Sequence, residues 1–208
     1  MAAAEATSGR FSYRSAVSDP FEPARGLGGW EDVGIVDFPA RSVWYRRLWI
    51  SPGNRARAGE TIGLLGPERL TTIKPDGTAT DIAGALDLVN ATSNPLGMLR
   101  LLDPAFTVAT PAGAGRWRIE IDLPGAREAL GATALGPGMV HLRPSLAATA
   151  QVRDGELEVV GMQVGVWGEP HAWAALRFNE WGTTLPVERV VPPRPWDFKA
   201  LRTVLVPE

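Results

Sequence analysis

The stretch from Leu146 to Pro193 constrains this chain most. Two apolar-rich runs, Leu146–Val152 and Leu157–Val166, meet at Asp154-Gly155. Asp-Gly suits a two-residue hairpin, because both central residues must accept positive φ and the turn then matches the twist of its strands. A third run, Ala172–Phe178, follows the Gly168-Glu-Pro-His171 break, and the segment closes on Pro192-Pro193. This predicts three consecutive antiparallel strands ending in a proline-terminated edge. In Ala172-Trp-Ala-Ala-Leu-Arg-Phe178 both strand faces carry apolar groups. Both faces are therefore expected to meet something other than bulk water.

The rest of the chain has the same rhythm. Phe11–Val17, Val33–Phe38, Ser42–Ile50, Thr61–Leu65, Arg69–Ile73 and Phe106–Ala109 are expected strands, with residues 1–10 a loose end and Asp19–Gly29 a loop. Ser51–Asn54 and Lys74–Gly77 are turn signals. Arg116–Leu123 alternates most cleanly, with Trp117, Ile119, Ile121 and Leu123 opposite Arg116, Arg118, Glu120 and Asp122. That pattern is a strand with one wet face. The period changes near the middle, where Ile82, Leu86 and Val89 after Asp81, and Met98, Leu99 and Leu102 after Asn94-Pro95, predict two short helices across residues 81–103. Leu96 and Leu101 lie off the second helix's main face, so this helix wants burial on more than one side. A helical turn is expected over Pro124–Gly131 and a loop over Ala132–Gly138. The tail, Trp196–Val206, predicts a last strand or a strap through Leu201, Val204 and Val206. Strands, then a helix pair, then more strands argue for a mainly β domain spanning 1–208, an antiparallel sheet with helices on one face.

Composition narrows the function. With 208 residues the chain can bury roughly 70% of its unfolded surface, enough for a core and a pocket. Its 23 glycines and 18 prolines leave no room for long helices. A net charge of −2 provides no basic footprint for nucleic acid. The absence of cysteine excludes disulfides, thiolate metal sites and lipidation at cysteine within this sequence. No run approaches the roughly 18 apolar residues of a membrane-spanning helix. The opening MAAAEATSGRF lacks the features of a secretory signal, so a cytoplasmic location is expected as written, or the cell envelope if a leader has been removed.

Several motifs in succession resemble the LolA/LppX-like bacterial lipoprotein-carrier fold, in particular its actinobacterial branch. They are Asn94–Pro104, the strand Trp117–Asp122, the hairpin Val152–Leu157, and Leu176–Val187 with Pro192-Pro193. They cover roughly the C-terminal half in the right order, while the first half matches only in strand rhythm. The resemblance implies a strongly curved antiparallel sheet, a half-barrel, whose concave face is covered by short helices. It also implies an apolar cavity between them for acyl chains or other hydrophobic ligands. As written, the sequence departs from the family's pattern: its opening does not read as a leader and it contains no cysteine for a lipid anchor.

Eight tryptophans are many for this length. They can simply fill a wide core. They can also line a cavity, where large rings with a polar N–H are frequent. The candidate lining is Trp44, Trp49, Trp117, Trp167 and Trp173, with Met98, Leu99 and Leu102 as a lid and Met139 and Met162 as adaptable walls. Signs of chemistry are few. The zinc helix, the nucleophile elbow, the phosphate loop and the dinucleotide fingerprint are all missing, so no metal or cofactor is expected. His141 and His171 sit beside loop signals, and Glu120 and Asp122 share a charge-balanced face with Arg116 and Arg118. Tyr13, Tyr45 and His171 are the candidate proton donors. Two functions are compatible with these features. One is a binding protein for a hydrophobic small molecule or lipid. The other is a cytoplasmic cyclase or cycloaddition enzyme that folds a hydrophobic, polyketide-like chain, a task that proximity serves without a strong acid or base.

Overall fold

Two antiparallel meanders meet at the middle of one sheet. The computed structural model describes residues 8–18, 27–50, 57–67, 69–83, 95–130, 144–163, 172–181 and 196–206. In chain order the strands are β1 (Ser8–Ser18), β2 (Leu27–Asp37), β3 (Ser42–Ile50), β4 (Arg57–Leu65), β5 (Arg69–Ile73), β6 (Ala79–Ala83), β7 (Thr107–Gly113), β8 (Arg116–Asp122), β9 (Ser145–Arg153), β10 (Glu156–Gln163) and β11 (Ala172–Trp181). They lie side by side as β6-β5-β4-β3-β2-β1-β11-β10-β9-β8-β7. The first and last strands are thus central neighbours, and the wings run outward to β6 and β7. Three short helices complete the described elements: α1 (Pro95–Arg100), α2 (Leu123–Leu130) and α3 (Phe198–Leu205).

The hairpins form where the turn residues demand them. Between β9 and β10, Asp154 has φ 53° and Gly155 φ 85°, the pair of positive angles that an Asp-Gly turn supplies. In β8 the expected wet face is exposed, while Ile121 is fully buried and Ile119 half-buried.

The sheet is open and strongly curved, and one apolar cluster makes the bend necessary. From Leu65 on β4, through Val43, Val36, Phe11, Leu176, Val160 and Leu146, to Ile121 on β8, adjacent strands feed a single core with Leu96, Met98, Leu99, Leu101 and Leu102. Laid flat at the usual strand spacing, that span would measure roughly 34 Å. A six-residue helix is only about 9 Å long. The strands therefore wrap the helical cover, and α1 with the residues after it fills the concave face. Leu96 and Leu101 are buried along with the main face, as a helix apolar most of the way round requires.

The opposite face has its own cover. Ile35, Trp44, Ile62 and Ile73 pack against Phe198, Leu201 and Leu205 of α3. Asp197 caps that helix, accepting from the Lys199 and Ala200 amides at 2.9 and 3.1 Å. The strand or strap expected from Leu201, Val204 and Val206 is thus an α-helix. Its cap and the 198/201/205 spacing set a 3.6-residue period that outweighs the short alternation.

Other boundaries move as well. Ser8–Arg10, expected loose, belong to β1: all three pair with β2, and Gly9 and Arg10 also pair with β11. Leu27–Gly29, expected as loop, pair with Ser18–Ala16. Asp81, expected to cap a helix, instead lies in β6 opposite Thr71, whose hydroxyl donates to its carboxylate at 2.6 Å. The helix expected over 81–90 therefore does not start there; residues 84–94 lie outside the described ones.

Candidate functional site

At one margin of the concave core, the β2–β3 ladder sets three residue pairs opposite one another: Trp30 and Trp49, Asp32 and Arg47, Gly34 and Tyr45. They are in phase with Val36 and Val43, which reach the concave core, so strand alternation turns all six toward the same side. The charged pair is bidentate. Arg47 Nε donates to Asp32 Oδ1 at 2.8 Å and Nη2 to Oδ2 at 2.7 Å. Asp32 is 2% exposed and the Arg47 side chain 16%.

Aromatic rings surround this pair. The Arg47 guanidinium carbon lies 4.9 Å from the Trp30 ring centre, 5.0 Å from Tyr45 and 5.3 Å from Trp49. Trp30 and Trp49 are tilted neighbours at 5.8 Å, and Tyr13 stands 6.4 Å from Trp30. Tyr45 fits because β4 carries a glycine beside it: a β-carbon at Gly63 would strike the phenol ring. Trp30 and Tyr45 pack against the concave core, while Trp49 is 41% exposed. The cluster thus joins the greasy interior to solvent.

Its electrostatics follow from burial. Loss of water pushes the Asp32 carboxyl above its usual range, against the opposing pull of Arg47. Burial also raises the Tyr45 phenol; the Arg47 charge pulls it down and the Asp32 charge lifts it further. For Arg47, burial favours the neutral form, but the hydrogen bond and charge of Asp32 outweigh it, so the guanidinium stays ionised. A buried ion pair seldom stabilises a fold better than apolar residues of equal volume. One further polar atom is unusual. The indole Nε1–H of Trp30 is buried and has no hydrogen-bond partner among the described residues.

The candidate residues separate by face. Met98, Leu99, Leu102 and Met162 are buried in the concave core, and Tyr13 joins them. Tyr45 and Trp49 belong to the aromatic cluster. Trp44, the neighbour of Tyr45 in sequence, packs on the opposite face beneath α3. Trp117 lies at the rim of β8, 37% exposed and opposite Ala150. Met139, Trp167 and His171 lie outside the described residues, as does the side chain of Trp173, whose backbone belongs to β11. Among the described residues no group of three or more His, Asp or Glu side chains could hold a metal, and no helix is long and apolar enough to cross a membrane.

Sequence reasoning missed Trp30, Asp32 and Arg47. The signal was there: Asp32 and Arg47 occupy apolar-phase positions, two residues from Gly34 and Tyr45 and four from Val36 and Val43. A charge in that phase, matched by the opposite charge across the hairpin, marks a buried pair.

No protein-family model matches this sequence, and no curated protein matches it either.

Proposed function

We propose that this chain binds an apolar small molecule or acyl chain on the concave face of its sheet, beneath the helical cover. The observation that carries this reading is the continuity between the Asp32–Arg47 aromatic cluster and the apolar core of Met98, Leu99 and Leu102. A hydrophobic site with a few fixed polar groups at its mouth is the usual form of a small-molecule pocket. The open, curved antiparallel sheet is also the architecture implied by the resemblance to the LolA/LppX-like carriers, which supports the same reading.

Titration with N-phenyl-1-naphthylamine, a neutral probe that fluoresces in apolar surroundings, tests it. Saturable enhancement is expected, weakened in Trp49→Ala at the mouth and lost in Leu102→Asp beneath the cover. Enhancement that never saturates, or that both variants leave unchanged, removes the proposal.

A second reading rests on the Tyr45 phenol and the Trp30 indole. Two neutral donors beside a ring-lined surface suit a cyclase that holds a flexible substrate folded and polarises its carbonyl. Conversion of a linear polyketide-like substrate to an isomer of equal mass, slowed in Tyr45→Phe, is the outcome that would favour it.

A further inference from the structure

The cluster at the mouth also limits which polar group a ligand can bring. We propose that it recognises a neutral carbonyl, as in a ketone, ester or thioester, and discriminates against both carboxylates and cations. This rests on the reading that the concave face binds apolar molecules.

The argument is one of charges already matched. Both oxygens of Asp32 are engaged by Arg47, at 2.8 and 2.7 Å, so the pair is neutral as a unit. An arriving carboxylate would surrender its hydration and meet the Asp32 charge as well as that of Arg47. An arriving cation fares no better. The faces of Trp30, Tyr45 and Trp49, which would otherwise attract it, already flank the guanidinium at 4.9 to 5.3 Å. Of the two neutral donors in the cluster, the one held buried is the indole N–H of Trp30, which can only donate. It is buried, and no described residue accepts from it. A carbonyl oxygen satisfies that donor without adding charge. The rings around it offer flat apolar surface, so a conjugated or aromatic carbonyl fits best.

Three naphthalenes that differ in one substituent test this: 2-acetylnaphthalene, 2-ethylnaphthalene and 2-naphthoate, which is ionised at neutral pH. Equilibrium dialysis should rank the ketone first, roughly ten-fold or more tighter than the naphthoate. Trp30→Phe should weaken the ketone about three- to ten-fold, the effect of one lost hydrogen bond, and leave the ethyl compound within about two-fold. Tyr45→Phe is a second variant that keeps ring and volume, and the wild-type ranking stands independently of both. Equal binding of all three, unmoved by Trp30→Phe, would overturn the carbonyl assignment while leaving apolar binding intact. Tightest binding of the naphthoate would overturn it in favour of an anion site. Failure of all three to bind would remove the binding reading itself, and this inference with it.

Discussion

Arg47 reaches across the β2–β3 ladder and holds both carboxylate oxygens of Asp32, its directly opposed neighbour, in a pair that water scarcely reaches. Removing one partner strands the other's charge, whereas removing both does not. Arg47→Met is therefore expected to cost about 3–5 kcal/mol in urea unfolding. The double variant Asp32→Leu/Arg47→Met should return to within about 1 kcal/mol of the parent or exceed it. Additive losses in the double variant would show that the two charges are not coupled.

Tyr45 gives a pH signature. Its folded pKa is raised, chiefly by burial, above the ordinary phenol value of about 10. Between those two values the unfolded chain has released this proton while the native chain keeps it. The native state then binds more protons, so stability falls as pH rises through that window. With only two tyrosines in the chain, tyrosinate absorbance should show a late rise whose amplitude Tyr45→Phe reduces. If the variant titrates like the parent, Tyr45 is not buried as described.

Gly63 sets where that phenol can lie. Gly63→Ala places a methyl group against the Tyr45 ring, and overpacking of this kind is expected to cost about 1–3 kcal/mol. The displaced ring should also titrate closer to an ordinary phenol. A stable variant with an unchanged late step would contradict the packing of Tyr45 over β4.

The two faces should respond separately. Leu201 is 1% exposed beneath α3, so Leu201→Ala is expected to cost about 2–5 kcal/mol. Arg202 pairs with Glu60 at 3.0 Å but is half exposed, so Arg202→Ala should cost under about 1 kcal/mol. Neither should alter binding of N-phenyl-1-naphthylamine below unfolding conditions, because both lie on the face away from the proposed site. Weakened binding in the folded Leu201→Ala protein would argue against that separation.

How much of this the sequence discloses depends on which interactions decide each element. The Asp154-Gly155 hairpin and the strand Arg116–Asp122 are local, and both are visible in the chain, although Trp117 on the expected apolar face is exposed and Leu123 opens α2. The helix at Pro95 is legible too, since its proline and apolar positions carry their own signal. Asp81 misleads because its decisive partner, Thr71, lies on the neighbouring strand. The tail misleads for a related reason: Leu201, Val204 and Val206 alternate, but the Asp197 cap and the burial of Phe198, Leu201 and Leu205 on Trp44 select a helix. Trp44 and Tyr45 look like equal candidates until the register sends them to opposite faces. Asp32 and Arg47 resemble ordinary surface charges in isolation, and only the hairpin phase reveals them as a buried pair.

The most direct test of binding on the concave face is in the indole N–H region of a ¹H–¹⁵N NMR spectrum, with signals assigned by single Trp→Phe variants. On titration with N-phenyl-1-naphthylamine, the signals of Trp30 and Trp49 should shift and saturate together, while those of Trp44 and Trp196, on the opposite face, stay in place. Movement of Trp44 and Trp196 without Trp30 and Trp49, or no saturable movement at all, would contradict it.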